Sequence, residues 1–451
     1  MKSNLRIGTG AGWWGDRIEP AALNAGRGAL DYLCFETMAE VTISAAQVRK
    51  RRDPSFPGYD TWLDERMRAV LPACRRNGTR IVTNQGWINP QGAARRIVEL
   101  LRELGLPGVK VAAVDGALIT DRVLDLTDRI LENGLPTSSL REQLVSAEVY
   151  LGAEPLVEAL RAGADIVVSG RVADPSRFLA PMMFEFGWSA DDAMRLGAGS
   201  GIGHLMECGA QVTGGYFPDP GFKDVPEPWN LAFPIAEMQA DGSAVLTKVA
   251  GTGGAVDLRT VKEQMLYEVH DPAHYITPDV VVDFTTVRLE QVGPDRVRVA
   301  NISGKPRTDT LKVSMGCIEG FIGEDMFYYA GRGAVRRAGL ARRILEERFR
   351  MVGLVADELR IDLLGVNAIH GAGSPPLEHE PYEVGLRVAA RTRTRAEAEK
   401  VGREVDGMAV CGVGMTGKHV PHKDRVREVI GVWSALVPRA AVQPTLHWFE
   451  S

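Results

Sequence analysis

The feature that most restricts the fold of this chain is an alternation of short apolar segments with amphipathic segments over its first 200 residues. Apolar runs bounded by glycine or polar residues predict strands over residues 5–7, 31–36, 79–84, 109–114 and 165–169. Apolar residues at helical spacing predict helices over residues 21–30, 92–104 and 155–162. This alternation is typical of an α/β fold, and we expect a mostly parallel, doubly wound-like sheet domain over residues 1–200.

The remainder of the 451-residue chain is expected to form two further regions, because the length exceeds one ordinary core. Residues 201–345 are rich in glycine and are predicted to be a central α+β region that contributes the site. Residues 346–451 are predicted to be a smaller α+β domain. Its predicted elements are strands over residues 361–366, 384–390 and 444–449 and helices over residues 395–405 and 425–436.

Charge and cysteine content exclude several classes of function. The 53 basic and 58 acidic residues leave a net charge of −5, so a nucleic-acid partner is not expected. Five scattered cysteines without a CxxC pair indicate reduced thiols and hence a cytoplasmic protein. No apolar run reaches the roughly 18 residues of a membrane span, and no association with a membrane is expected.

Polar residues follow the predicted strands, where parallel sheets bind their ligands. Asn84, Asp115, Arg171 and Asp174 come after three of these strands. Arg171 is predicted to grip a carboxylate or phosphate, with a surface ion pair as the alternative. Asp174 also suits the N-cap of a following helix, and Asn84 also suits a turn.

A second group of candidate residues lies in the glycine-rich stretch over residues 201–215. Glycine is costly in regular structure, so irregular chain close to a ligand is expected here. His204 and Glu207 are predicted to transfer protons, with Cys208 beside them either reactive or simply buried. The residues expected to contact substrate in this stretch are Gln211, Thr213, Gly214 and Gly215.

Two further glycine clusters and one histidine pair are weaker candidates. Lys248 precedes the run 251–254, in which Gly253 is expected to offer a backbone N–H group to an anion. Residues 412–419 form another glycine loop, ending at His419. His270 and His274 have the spacing of zinc ligands on a helix, but Pro272 opposes that helix, and the sequence carries no firm metal signal.

The N-terminal loop supports an alternative function. Gly10, Gly12 and Gly15 satisfy the pattern GxGxxG after a strand, and Glu36 follows at the distance expected of a ribose-binding acid. Trp13 and Trp14 occupy positions that are usually small in a pyrophosphate loop. The alternative to nucleotide binding is a loop whose tryptophans cover a pocket.

These motifs together resemble the acyclic terpene utilisation family, AtuA, over nearly the whole chain. The resemblance is carried by residues 12–17 (GWWGDR), 83–86 (TNQG), 170–174 (GRVAD), 203–211 (GHLMECGAQ), 251–254 (GTGG) and 261–268 (VKEQMLYE). Trp87 departs from the smaller turn expected there and indicates an altered pocket. Members are similar to proteins encoded beside enzymes that degrade branched acyl-CoA compounds, which implies CoA as part of the substrate. The resemblance also implies a small subunit of ferredoxin-like fold as a candidate partner.

The leading expectation is a cytosolic lyase. It would add or remove water, or cleave a carbon–carbon bond, in a hydroxylated or unsaturated carboxylic acid or its CoA thioester. The alternatives are an NAD(P)-dependent oxidoreductase and a non-catalytic acyl-CoA-binding subunit of a complex. A homo-oligomer is expected in each case.

Overall fold

The structure is a computed structural model that describes residues 2–418 and 425–451. It divides into two compact units. The larger unit contains Met1–Gly316 and Val432–Ser451, and the smaller unit contains Cys317–Gly431. The sequence predicted three regions, over residues 1–200, 201–345 and 346–451. His419, the last residue of the third glycine loop, lies outside the described residues.

The strands and helices of the described residues are as follows. The strands are β1 (Asn4–Ala11), β2 (Tyr32–Phe35), β3 (Arg80–Thr83), β4 (Lys110–Asp115), β5 (Leu144–Val149), β6 (Ile166–Ser169), β7 (Ile235–Gln239), β8 (Ala244–Thr247), β9 (Tyr275–Ile276), β10 (Val281–Asp283), β11 (Arg288–Gly293), β12 (Arg296–Ala300), β13 (Ser303–Lys305), β14 (Thr310–Ala330), β15 (Glu358–Leu364), β16 (Glu383–Thr392), β17 (Gly417–Lys418), β18 (Val426–Pro438) and β19 (Thr445–Glu450). The helices are α1 (Glu19–Arg27), α2 (Glu40–Arg52), α3 (Leu63–Asn77), α4 (Pro90–Glu103), α5 (Val123–Leu126), α6 (Glu154–Arg161), α7 (Ser176–Phe186), α8 (Ala193–Glu207), α9 (Leu258–Leu266), α10 (Ala334–Met351) and α11 (Arg395–Cys411).

The larger unit is built on a ten-stranded sheet in the order β11-β12-β8-β7-β1-β2-β3-β6-β4-β19. The five strands from β1 to β4 in this order are parallel, as the apolar alternation predicts. The other five strands are antiparallel to their neighbours. In the central region, β7 and β8 form one hairpin and β11 and β12 another, and β12 pairs with β8; at the other edge, β19 runs antiparallel to β4. The prediction of a mostly parallel sheet is therefore not confirmed: the protein is α/β, and the sheet is mixed.

The core of this unit lies between the parallel strands and helices α1, α3 and α4. Leu33 and Phe35 of β2 pack in one apolar cluster with Met67, Ile97 and Val168. The two faces of β2 are both covered, so the strand is apolar throughout rather than alternating. No helix among residues 2–418 and 425–451 combines the length and apolar character that crossing a membrane requires.

The glycine-rich stretch is not irregular chain, and that expectation is wrong. Residues 193–207 form the continuous helix α8, which is buried over most of its length. Its glycines allow close approach by other backbone. A Cβ atom on Gly197 would lie 2.3 Å from the carbonyl oxygen of Ser303, and one on Gly203 would lie 2.7 Å from that of Pro175. Tight packing on several sides offsets the low helix propensity of glycine.

This packing predicts the effect of adding one methyl group. We expect Gly197→Ala to lower the free energy of unfolding by about 1–3 kcal/mol, because the new Cβ would collide with the backbone of β13. The matched control is Gly339→Ala in α10, where a Cβ atom meets nothing within 4 Å. That control is expected to gain about 0.5–1 kcal/mol from helix propensity. Urea unfolding of both variants measures the difference, and equal effects would contradict the packing explanation.

The smaller unit contains an antiparallel sheet in the order β15-β16-β14-β17, with α10 and α11 packed on its apolar face. The helix predicted over residues 395–405 is present as part of α11. The helix predicted over residues 425–436 is wrong, because Val426–Pro438 is a strand. The closing strand at the C-terminus exists, but it belongs to the large sheet rather than to this one.

Candidate functional site

A cavity of about 270 Å³ lies in the larger unit. The residues that line it come from the segments following β2, β5, β6 and α9, from the start of β14 with Thr308 before it, and from Leu436 of β18. Its polar lining residues are Glu40, Tyr150, Asp174, Glu268, Tyr275, Thr277, Thr308, Thr310 and Lys312. Because β2 and β6 are neighbours of β3 in the parallel part of the sheet, the cavity lies beyond the carboxyl ends of parallel strands, as the sequence predicts.

Arg171 does not reach into this cavity to grip a substrate. It is buried and donates to the carbonyl oxygens of Met38 (2.5 Å) and Val172 (2.6 Å), and it forms an ion pair with Asp174. Its guanidinium lies 4.6 Å from the ring centre of Tyr150. The predicted clamp is therefore a positioning group, which holds Asp174 at the cavity wall.

Behind Asp174 lies a second buried guanidinium, that of Arg177 in the first turn of α7. It forms an ion pair with Glu36 and lies 3.6 Å from Oδ1 of Asp174. Burial lowers the pKa of Arg177 to about 10, against the opposing effect of Glu207. Asn84 belongs to the same network, since its Nδ2 donates to Oε2 of Glu36 at 2.9 Å.

His204 and Glu207 lie one turn apart on α8 and form a hydrogen-bonded pair. Nδ1 of His204 is 2.9 Å from Oε1 of Glu207, and Nε2 is 3.1 Å from the carbonyl oxygen of Gln264. Both side chains are buried. The ring of His204 packs 5.2 Å from the ring of Tyr275, so the pair lies directly behind a cavity wall.

The partners of His204 define its protonation. A carbonyl oxygen can only accept, so Nε2 of His204 carries a hydrogen and Nδ1 shares a further proton with Glu207. Burial raises the pKa of Glu207 to about 7, whereas the Glu207 hydrogen bond raises the pKa of His204 against the lowering effect of burial. The hydrogen bond between Nδ1 and Oε1 therefore needs a proton on one of these two atoms. Neither ring nitrogen is free to contact a substrate.

Cys208 is not suited to nucleophilic catalysis. Burial raises the pKa of its thiol well above the usual value, and Glu207 adds to the rise. Because the thiolate is the reactive form, the residue stays an unreactive thiol at neutral pH. Cys208 is half-buried at the C-terminal end of α8.

The carboxyl groups that face the cavity have perturbed pKa values. Limited hydration raises the pKa of Asp174, with Arg171 lowering it and Glu40 raising it further. Limited hydration and Asp174 also raise the pKa of Glu268. Glu268 adopts φ +60°, a left-handed conformation that costs a non-glycine residue roughly 1–3 kcal/mol. Backbone strain thus accompanies the placement of this carboxyl group at the cavity.

The three glycines predicted to bind an oxyanion have their N–H groups engaged. Gly214 donates to Gln211, Gly215 to Ala210 and Gly253 to Asn230, in each case to a carbonyl oxygen. Tyr275 is one of the hydrogen-bond donors among the lining residues of the cavity. Burial raises the pKa of its phenol well above the usual value, so the hydroxyl group stays protonated and able to donate.

The other predicted substrate contacts lie away from the cavity. Lys248 donates to the carbonyl oxygen of Thr252 and pairs with Asp295. Thr213 donates to the carbonyl oxygen of Ala232 at 2.6 Å, and Asp115 accepts from Gln91 at 3.0 Å. Gln211 contributes to a small pocket with Gly215, Tyr216 and Tyr267. The structure therefore brings together Asp174 and the His204–Glu207 pair, but not these four residues.

The N-terminal glycine loop is occupied by its own chain. The N–H groups of Gly12 and Trp13 donate to Oδ2 of Asp16, so these two donors are already engaged within the loop. A Cβ atom on Gly12 would lie 2.2 Å from the backbone of Cys208. Close packing explains this glycine, and the geometry favours the non-nucleotide interpretation of the loop.

Within residues 2–418 and 425–451, no group of three or more histidine, cysteine, aspartate or glutamate side chains is arranged to hold a metal ion. His274 contacts Oδ2 of Asp271 and Nζ of Lys305. Among the described residues, this pattern gives no support to a metal site at His270 and His274.

Sequence reasoning missed Arg177, Glu40, Tyr150 and Lys312. Arg177 carried a usable signal, because it is a lone arginine opening the apolar run Phe178–Met183. The other three come from separate segments without a motif, and the fold alone brings them together.

Glu148 is a further buried carboxyl group near this region. Burial raises its pKa to about 8, with Arg171 opposing the rise. Such a group favours the folded state below its unfolded pKa, and that contribution is lost as the pH rises through about 8. We expect Glu148→Gln to raise the melting temperature at pH 8.5 by several degrees and to have little effect at pH 5. Differential scanning calorimetry at both pH values tests this, and equal shifts would contradict it.

The family relationship follows from comparison with known proteins. A family model described as acyclic terpene utilisation family protein AtuA matches residues 5–448. A comparison with curated proteins found no match. The family model spans nearly the whole chain, including Asp174, His204 and Glu207. The resemblance carried by the sequence motifs is confirmed, and the chain belongs to the acyclic terpene utilisation family AtuA.

Proposed function

We propose that this protein is a lyase that removes a proton next to the carbonyl group of a hydroxylated or unsaturated acyl compound. The observation that supports the proposal is that ionisable side chains converge on the wall of one cavity. Asp174 and Glu268 both face the cavity with raised pKa values, and Tyr275 faces it with a protonated hydroxyl group. Perturbed carboxyl groups that converge on one cavity are typical of acid–base catalysis.

Each group has a separate role in the proposal. Asp174, held by Arg171, takes the α-proton, and the hydroxyl group of Tyr275 donates a hydrogen bond to the carbonyl oxygen as negative charge develops there. Glu268, in its protonated form, donates a proton to the leaving hydroxyl group. In dehydration, the carbon–hydrogen and carbon–oxygen bonds break, a carbon–carbon double bond forms and water leaves.

The His204–Glu207 pair supports this chemistry from behind the wall. Its shared proton is close to the ring of Tyr275, and Glu207 contributes to the electrostatic environment of Arg177. Oε2 of Glu207 is buried without a hydrogen-bond partner. We therefore assign the pair a positioning and proton-storage role rather than direct contact with substrate. The family description is consistent with an acyl compound from acyclic terpene breakdown as the natural substrate.

Deuterium exchange tests the proposal without knowledge of the complete reaction. The protein would be incubated in D₂O with 3-hydroxyacyl and 2-enoyl compounds, supplied as free acids and as CoA thioesters. Proton abstraction places deuterium at the α carbon, and NMR detects it even when no net product accumulates. We expect exchange with at least one class of compound. Absence of both exchange and hydration across the panel would contradict the lyase assignment and favour a binding role.

A further inference from the structure

The charged side chains on the cavity wall are unequal in number. Glu40, Asp174 and Glu268 contribute carboxyl groups, whereas Lys312 is the one basic side chain among the lining residues. With Glu40 and Asp174 ionised and Glu268 protonated, as the proposed reaction requires, the lining carries two negative charges against one positive charge. Burial is the main cause of the raised pKa values of Asp174 and Glu268, and neighbouring carboxyl groups raise them further.

Nearby cations outside the lining do not attract an incoming carboxylate, because they already have partners in the protein. Arg171 is buried and already donates to Met38, Val172 and Asp174. Arg177 is buried against Glu36. Neither guanidinium lines the cavity, so neither offers a free pair of N–H groups to a carboxylate.

Lys312 already interacts with two side chains of the cavity wall. Its Nζ lies 3.6 Å from Oε1 of Glu40 and 4.9 Å from the ring centre of Tyr150. Tyr150 donates to the same carboxyl group of Glu40. A carboxylate ligand would have to compete with Glu40 for this ammonium group while it approached Asp174 and Glu268.

We propose that the cavity accepts the acyl group of an uncharged carboxylic acid derivative, such as a thioester or an ester, and rejects the free carboxylate. This inference rests on the proposed function and narrows its substrate class. An uncharged carbonyl group accepts the hydrogen bond that Tyr275 offers without adding a negative charge beside the carboxylates of Glu40 and Asp174. Like-charge placement is a common means of rejecting a wrong ligand.

Matched ligands test the inference directly. Isothermal titration calorimetry would compare 3-hydroxyhexanoate with its methyl ester, its N-acetylcysteamine thioester and its CoA thioester. We expect the methyl ester and the N-acetylcysteamine thioester, which are uncharged, to bind at least about 10-fold more tightly than the free acid, because like charges oppose only the acid. Tighter binding of the CoA thioester than of the shorter thioester would locate additional contacts outside the cavity.

A variant that removes one negative charge from the lining provides the second part of the test. We expect Glu40→Gln, which removes the carboxylate that pairs with Lys312, to strengthen binding of the free acid and to leave binding of the methyl ester nearly unchanged. The matched control, Glu263→Gln, removes an exposed carboxyl group that pairs with Lys223 outside the cavity, and it should change neither affinity.

The outcomes separate the two proposals. Equal or tighter binding of the free acid, or an unchanged preference in Glu40→Gln, would overturn the charge argument alone. Failure of every ligand to bind would overturn the proposed function together with this inference.

Discussion

Replacement of Asp174 with asparagine is expected to lower the rate of α-deuterium exchange by about 10²–10⁴-fold. The amide has nearly the same shape as the carboxylate but cannot accept a proton at neutral pH. Arg171 would keep a hydrogen-bond acceptor in the same place, so the cavity should keep its form. Loss of exchange would then report on chemistry rather than on folding.

The measurement needs two controls. Circular dichroism and the melting temperature should show that Asp174→Asn remains folded. Asp191→Asn removes an exposed carboxylate that lies outside the cavity, and its exchange rate should equal that of the natural protein. Full exchange activity in Asp174→Asn would remove Asp174 from the proposed mechanism and leave Glu268 as the candidate base.

The largest effect on stability is expected at Arg177. Replacement by methionine should lower the free energy of unfolding by about 3–5 kcal/mol, because it leaves Glu36 buried without its cation. The carbonyl oxygens of Val172 and Asp174 would also lose a donor. Equilibrium unfolding in urea measures this change.

Two companion variants identify the cause. Addition of Glu36→Met to Arg177→Met should recover part of the loss, because the unpaired charge is then absent. Arg195→Met removes a cation from the half-exposed pair with Asp192, and it should cost at most about 1 kcal/mol. Similar losses for Arg177→Met and Arg195→Met would show that burial of the ion pair is unimportant.

Local sequence pattern was sufficient for the parallel part of the fold. The strands around Leu33, Val82 and Val167 are short apolar runs with helices between them, and local spacing reports such elements directly. Local spacing did not predict the structure where contacts with residues distant in the sequence determine it. Helix α8 tolerates Gly197 and Gly203 only because other backbone lies against them, and a single sequence does not show that contact.

The strand β18 illustrates a second limit. Residues 426–438 carry apolar residues at spacings that suit either a helix or a strand, and pairing with another strand selects the second. Strand pairing is a long-range property, so local propensity alone did not identify it.

Only part of the candidate site was accessible from the sequence. Asp174 follows an apolar strand, and His204 with Glu207 stood out by residue type, so these were identified. Glu268 and Tyr275 were not identified as site residues from the sequence, because the fold brings them to the cavity from a separate segment. Arg171 was predicted to grip a carboxylate or phosphate of the substrate. In the structure its guanidinium is buried and donates to backbone carbonyl oxygens instead.

The position of β19 has a consequence for biosynthesis. This strand completes the large sheet by pairing with β4, and the partners Asp115 and Thr445 are 330 residues apart. At about 5–20 residues per second, a ribosome takes roughly 15–70 s to make the intervening chain. The edge of β4 stays unpaired during that interval, with its backbone N–H and C=O groups available to other strands. Expression conditions that prolong translation therefore lengthen the period in which the nascent chain is exposed to aggregation.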